Sequence, residues 1–159
     1  MSFSFYTTAY GAPQLAHLLA SADDHGDLRL AEDLVEPWLE GFAFHIHRDQ
    51  LSTRGVELCW ESDQLQVRLL TLASPEDWEL AFRVLEVATG GQGKVRTEDG
   101  REEPVAELRE AFGDLCETTN LGGTSFLLAR IADGEALLTL PGPIRSFCIG
   151  ARVMEELLS

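Results

Sequence analysis

Three consecutive segments of the chain alternate apolar and polar positions with a period of two. Phe42, Phe44 and Ile46 alternate with Ala43, His45 and His47. Val56, Leu58 and Trp60 alternate with Glu57, Cys59 and Glu61, and Leu65, Val67 and Leu69 with Gln64, Gln66 and Arg68. Successive side chains of a strand point to opposite faces, so the pattern predicts an antiparallel meander over 41–70 with one buried face. Ser62-Asp63 is short enough for a tight hairpin, and 49–54 forms a longer loop before it. Phe3 to Tyr10 alternates aromatic and small polar residues and reads as a further strand, broken by Gly11-Ala12-Pro13.

Elsewhere the period is helical. In Ser74-Pro75-Glu76-Asp77-Trp78 the serine can cap, the proline suits the first helical position, and two acids lie near the positive end of the helix dipole. The helix is predicted to run to Thr89 and to end at Gly90-Gly91. Only Glu79, Arg83 and Glu86 form a polar stripe on it, so it is expected to be deeply packed. Shorter helices are predicted after Pro13, through Leu15, Leu18 and Leu19, and over 104–113, with Val105, Leu108 and Phe112 on one face. Residues 28–40 are ambiguous, because Leu30, Leu34 and Trp38 keep helical spacing but Pro37 interrupts it.

Lys94 to Thr97 reads as a brief strand before a turn at Glu98-Asp99-Gly100. Thr118 to Thr124, with its Gly122-Gly123 pair, reads as a loop. Residues 125–131 and 135–140 are apolar runs joined through Asp133-Gly134, a hairpin signal, and another strand is predicted over Ile144 to Ile149 after the rigid Pro141-Gly142-Pro143 turn. A short helix is predicted from Ala151 to Leu158. The layout is that of one α+β domain over 1–159: a mainly antiparallel sheet, made of the meander 41–70 plus a C-terminal hairpin 125–149, with helices packed on one side.

Composition agrees with a globular core: 45% of the residues are apolar and 25% charged. Charge changes the picture more. Twelve basic residues face 27 acidic ones, a formal charge of −15, and Lys94 is the only lysine. Such a surface repels phosphate backbones and anionic lipid and favours solubility, cations or a basic partner. The acids cluster: Glu98 to Glu117 holds eight against Arg101 and Arg109. Glu102, Glu103, Glu107, Glu110 and Asp114 are the candidate partner-binding residues, with a solvated helix face as the plainer alternative.

Cys59, Cys116 and Cys148 are odd in number, widely spaced and set in apolar segments, which fits reduced thiols rather than disulfides. The N-terminus has no basic leader or long apolar stretch, and no run approaches the ~20 residues of a membrane span. A cytoplasmic protein without membrane or nucleic-acid partners is therefore expected.

Candidate chemistry is sparse. His45-x-His47 lies on a predicted strand with both rings on one face, and Glu57 and Cys59 belong to the neighbouring strand. Imidazole, carboxylate and thiolate are all zinc ligands, so His45, His47, Glu57 and Cys59 form the candidate metal set; the alternative is the polar face of a half-solvated meander. A Cys59 nucleophile is disfavoured by Glu57 and Glu61, which raise a thiol pKa. Ala88 to Val95 imitates a phosphate loop but has Ala88 in place of the first glycine and Val95 in place of the hydroxyl residue after Lys94, and it follows a helix instead of preceding one.

Arg54-Gly55-Val56-Glu57-Leu58, Ser74-Pro75-Glu76-Asp77-Trp78 and Thr97-Glu98-Asp99-Gly100 together resemble a pattern in small uncharacterised bacterial proteins assigned only to domains of unknown function. The resemblance covers about 54–108 and is structural: a strand entry, a helix cap and a turn. It implies a bacterial cytosolic origin, to which the arginine-for-lysine bias also points, and it carries over no catalytic residue. The leading expectation is a non-enzymatic, adaptor- or immunity-like protein that holds a basic protein and needs no cofactor. The alternatives are a zinc-binding protein or enzyme centred on His45 and His47, and a structural homodimer paired through a sheet edge.

Overall fold

The computed structural model describes residues 2–8, 13–34, 36–132, 137–140 and 147–150. The meander forms as its alternation predicts: β3 (Ala43–Arg48), β4 (Val56–Glu61) and β5 (Gln64–Leu70) pair antiparallel in succession. The β4–β5 turn places both Ser62 and Asp63 at positive φ, 52° and 57°, which matches the right-handed twist of the flanking strands. β2 (Leu28–Leu30) adds to β3, resolving the ambiguous stretch as a short strand followed by irregular chain. Trp38 is buried there and its indole donates to the Phe42 carbonyl at 2.7 Å.

The first strand, β1 (Ser2–Thr8), does not sit at the edge. It inserts between β5 and β6 (Lys94–Thr97), and β7 (Glu102–Pro104) closes the far side. The seven-stranded order is β2-β3-β4-β5-β1-β6-β7, all antiparallel, and a separate two-stranded hairpin joins β8 (Leu137–Leu140) to β9 (Phe147–Gly150). The fold is α+β.

The helix predicted from 74 to 89 appears as α2 (Pro75–Thr89), packed against β1, β3, β4 and β5. Trp78, Leu80, Ala81, Phe82, Val84 and Leu85 are fully buried, each large side chain stabilising the fold by about 1.5–3 kcal/mol relative to exposure. α1 (Leu15–Ala22) packs beside α2. Phe5, Trp78, Phe82 and the half-buried Phe112 form a ring cluster with centroids 5.7–6.3 Å apart, tying β1 to α2 and to the helix that starts at Phe112.

The N-terminus of α2 is tied to the β3–β4 loop by one buried carboxylate. Ser74 and Asp77 form a reciprocal capping box, and Asp77 is fully buried. Its oxygens also accept from the Arg54 amide and the Gly55 amide, both at 3.0 Å, and from the Thr53 hydroxyl at 3.1 Å. Gly55 meets it at a φ of 69°, a left-handed conformation that favours glycine. Two of the three segments carrying the family-like pattern therefore converge on a single hydrogen-bond hub.

The C-terminal half departs from the expectation. The predicted helix 104–113 is split into α3 (Val105–Glu110) and the start of α4 (Phe112–Ala132), and α4 runs on through the predicted loop 118–124 and the predicted strand 125–131. The hairpin expected over 125–149 is confined to 137–140 and 147–150. An apolar run such as Phe126 to Ile131 suits either period, and contacts with the body decide it. A Cβ at Gly123 would overlap the Thr71 methyl, while Asn120 donates to the Ala73 carbonyl at 3.5 Å. The glycine that reads as a helix breaker is the residue that lets α4 lie against the end of β5. Gly123→Ala is accordingly expected to destabilise the fold by about 1–3 kcal/mol, despite alanine's higher helix propensity; a denaturant midpoint unchanged or raised would contradict this close approach. The predicted turns at Asp133-Gly134 and Pro141-Gly142-Pro143 and the helix 151–158 lie outside the described residues. Among the described residues, no helix is long and apolar enough to cross a membrane.

Candidate functional site

With α1, α2 and α3 on one side of the sheet, the polar positions of the meander line up across its other face. His45 stands opposite Glu57, which stands opposite Arg68. The His45 Nε2 donates to Glu57 at 3.2 Å, and the other Glu57 oxygen accepts from Arg68, also at 3.2 Å. On the opposite flank Glu32 grips His45 twice, accepting from Nδ1 at 2.6 Å and from the backbone amide at 2.8 Å. Glu32 thus satisfies the edge of β3 just beyond the end of β2. The result is a chain of alternating charge, Glu32, His45, Glu57, Arg68.

The hydrogen bond to Glu57 raises the His45 pKa most, with Glu32 adding to it and partial burial opposing both, so it moves from 6.5 to about 9. Glu57 is held below its ordinary value, chiefly by the same hydrogen bond from His45. At neutral pH His45 is therefore an imidazolium with both nitrogens occupied.

The predicted metal set is only partly brought together. His45 and Glu57 meet as a hydrogen-bonded ion pair. His47 is buried two residues along β3, opposite Arg29, and Cys59 stands opposite Ala43 and Gln66. Among the described residues, no group of three or more histidine, cysteine, aspartate or glutamate side chains is arranged to hold a metal ion. Burial raises the Cys59 pKa, and Glu61 and Glu57 push it further, so the thiol stays protonated and weakly nucleophilic at neutral pH. Glu32 and Arg68 went unnoticed in the sequence. Arg68 could have been found from its place on the polar side of β5, whereas nothing local ties Glu32 to β3.

A depression on the helical side is lined by Arg48, Arg83, Arg109 and several acids, and all three guanidinium groups are already paired. Arg48 pairs with Asp27, Arg83 with Asp24, and Arg109 with Glu79 and Glu86.

The acidic stretch is arranged differently. Glu102, Glu107, Glu110 and Asp114 are exposed along β7, α3 and the first turn of α4, and Glu98 and Glu117 extend the same run. Its two arginines are both engaged. Arg109 turns from α3 onto Glu79 and Glu86 of α2, and Arg101 takes Asp99 and Glu103. Of the predicted partner-binding residues, Glu103 is half-buried and paired, while the other four carry no ion pair among the described residues. Arg101 therefore offsets two of the eight acids, and Arg109 is spent on α2, which leaves these four carboxylates without a paired cation among the described residues.

A family model for a domain of unknown function (DUF4299) matches residues 8–159. Neither a curated protein nor a solved structure matches the chain.

Proposed function

We propose that this chain, which belongs to the DUF4299 family of domains of unknown function, is a non-enzymatic binding protein of the bacterial cytosol that holds a basic protein partner, in the manner of an adaptor or immunity protein. The observation that carries the reading is the exposed set Glu102, Glu107, Glu110 and Asp114, which carry no ion pair among the described residues because Arg109 is bound to α2 and Arg101 to Asp99 and Glu103. With the whole chain at −15, the long-range field adds to that local patch, speeding encounter with a positive surface and rejecting acidic ones. The protonated, doubly hydrogen-bonded His45 and the protonated Cys59 favour binding over acid–base or nucleophilic chemistry.

The test compares capture by the wild-type chain and by a Glu107→Lys, Glu110→Lys variant, at low and high salt, from a lysate of the source organism. A stoichiometric basic protein held by the wild type, lost at high salt and weakened about tenfold or more by the variant is the expected outcome. Equal capture by both chains at low salt would remove this face from consideration. Both glutamates are exposed, so the variant should retain the wild-type unfolding midpoint to within about 0.5 kcal/mol.

A further inference from the structure

We infer that the outward face of α4 seats an amphipathic helix of the partner, with an apolar seam along α4 and lysines or arginines at the end that meets Asp114 and Glu117; this rests on the binding role proposed above and names the partner's chemistry. On the inward side of α4 Cys116, Asn120 and Gly123 follow one another at spacings of four and three, with Asn120 bonded to Ala73 and Gly123 against Thr71, beyond Phe112 and Leu115, which pack on the core. Large apolar residues also stand on its outward side. Leu121 is 61% exposed, Phe126 46% and Leu128 37%. Asp114, Thr118, Leu121, Ser125 and Leu128 are spaced four, three, four and three, so they form one stripe along the helix, and all are exposed. The stripe extends about 21 Å at 1.5 Å per residue, enough for four turns of a second helix.

Charge distinguishes the occupants. The acids sit at the N-terminal end of this stripe and continue onto α3 through Glu110 and Glu107. A second copy laid parallel would set acid against acid, and laid antiparallel would leave both acidic ends opposite apolar residues, in a chain of −15. An anionic membrane is repelled by the same carboxylates. The sheet edges are also poor pairing surfaces: β2 has three residues, and β7 has three, two of them glutamates and the last Pro104. A basic helix with apolar residues at i, i+3 or i+4, and i+7 satisfies both the leucines and the acids.

The experiment titrates the full chain with two labelled synthetic peptides of identical leucine and lysine composition. One is patterned to form a single apolar helical face, the other is scrambled. The wild type is expected to bind the patterned peptide at least tenfold more tightly than the scrambled one. Leu121→Ser, Leu128→Ser should abolish that preference, and Leu51→Ser, exposed elsewhere on the surface, should leave it intact. Glu107→Lys, Glu110→Lys should weaken both peptides together. Loss with the charge variant but equal binding by wild type and the serine variant would overturn the helix inference while leaving the acidic-face reading standing. Insensitivity to the charge variant would overturn the reading on which it rests. A wild-type dimer in sedimentation that the serine variant makes monomeric, or a patterned-peptide preference seen only after deletion of 151–159, would give the stripe to a second copy or to the chain's own C-terminal segment and overturn the inference.

Discussion

Asp77→Ala is expected to lower the unfolding free energy by about 3–5 kcal/mol, the largest effect of any single substitution considered, because it leaves several buried donors without an acceptor. The carboxylate accepts from the amides of Arg54, Gly55 and Ser74 and from the Thr53 hydroxyl, and it is fully buried. It also lies beside the Arg54 guanidinium, which burial pulls below its ordinary pKa and the Asp77 charge supports. Removing the charge leaves that cation buried beside an empty acceptor position, and removing the oxygens detaches the β3–β4 loop from the start of α2. Domains are stable by only about 5–15 kcal/mol, so a loss of this size populates the unfolded chain. Asp77→Asn preserves volume but turns an NH2 toward N–H donors, and most of the loss should persist. Chemical denaturation of the two variants decides the matter. If each costs less than about 1 kcal/mol, the hub does not hold these segments together.

The stability of the wild type is expected to fall between pH 6.5 and about 9 through His45. Its folded pKa lies above its ordinary 6.5 because of Glu57 first and Glu32 second. A group that binds its proton more tightly when folded contributes fully below the lower value and loses that contribution as pH rises through the higher one. The displacement corresponds to roughly 3 kcal/mol undamped. The ring is a third exposed, and water screening reduces this to about 1–2 kcal/mol. Glu57 acts in the opposite direction at low pH: its depressed value supports stability above 4.5 and loses that support as pH falls through the folded value. The difference in unfolding free energy between wild type and His45→Gln isolates His45 from the other histidines. It should be largest near pH 6 and shrink toward pH 9.5. A difference that does not vary with pH, or an imidazole resonance titrating near 6.5, would mean that the ion chain does not form.

The parts of the fold that were legible beforehand share a physical property: their signals are local. α2 announces itself through Ser74, Pro75, the first-turn acids, the apolar surface from Trp78 to Ala88 and the Gly90 stop, all within one stretch of chain. The meander is legible because a period of two over three short segments with turn residues between them has one natural pairing. α4 was not legible. Phe126 to Ile131 fits a strand or a helix equally well, and Gly122-Gly123 reads as a break until Thr71 is placed against Gly123.

The candidate sites divide in the same way. That the chain is strongly acidic, that the acids crowd into 98–117 and that His45 and Glu57 share a sheet face follow from composition and alternation. The position of β1 at the centre of the sheet, the grip of Glu32 on His45, and the convergence of Arg54 and Gly55 on Asp77 come only from the tertiary structure, because each joins residues more than ten positions apart whose approach is fixed by packing rather than by neighbours in sequence. The same holds for the acidic face. Sequence supplied its carboxylates, but the docking of α3 on α2 turned Arg109 away from them, and the fit of Asn120 and Gly123 against Ala73 and Thr71 left Leu121 and Leu128 facing water.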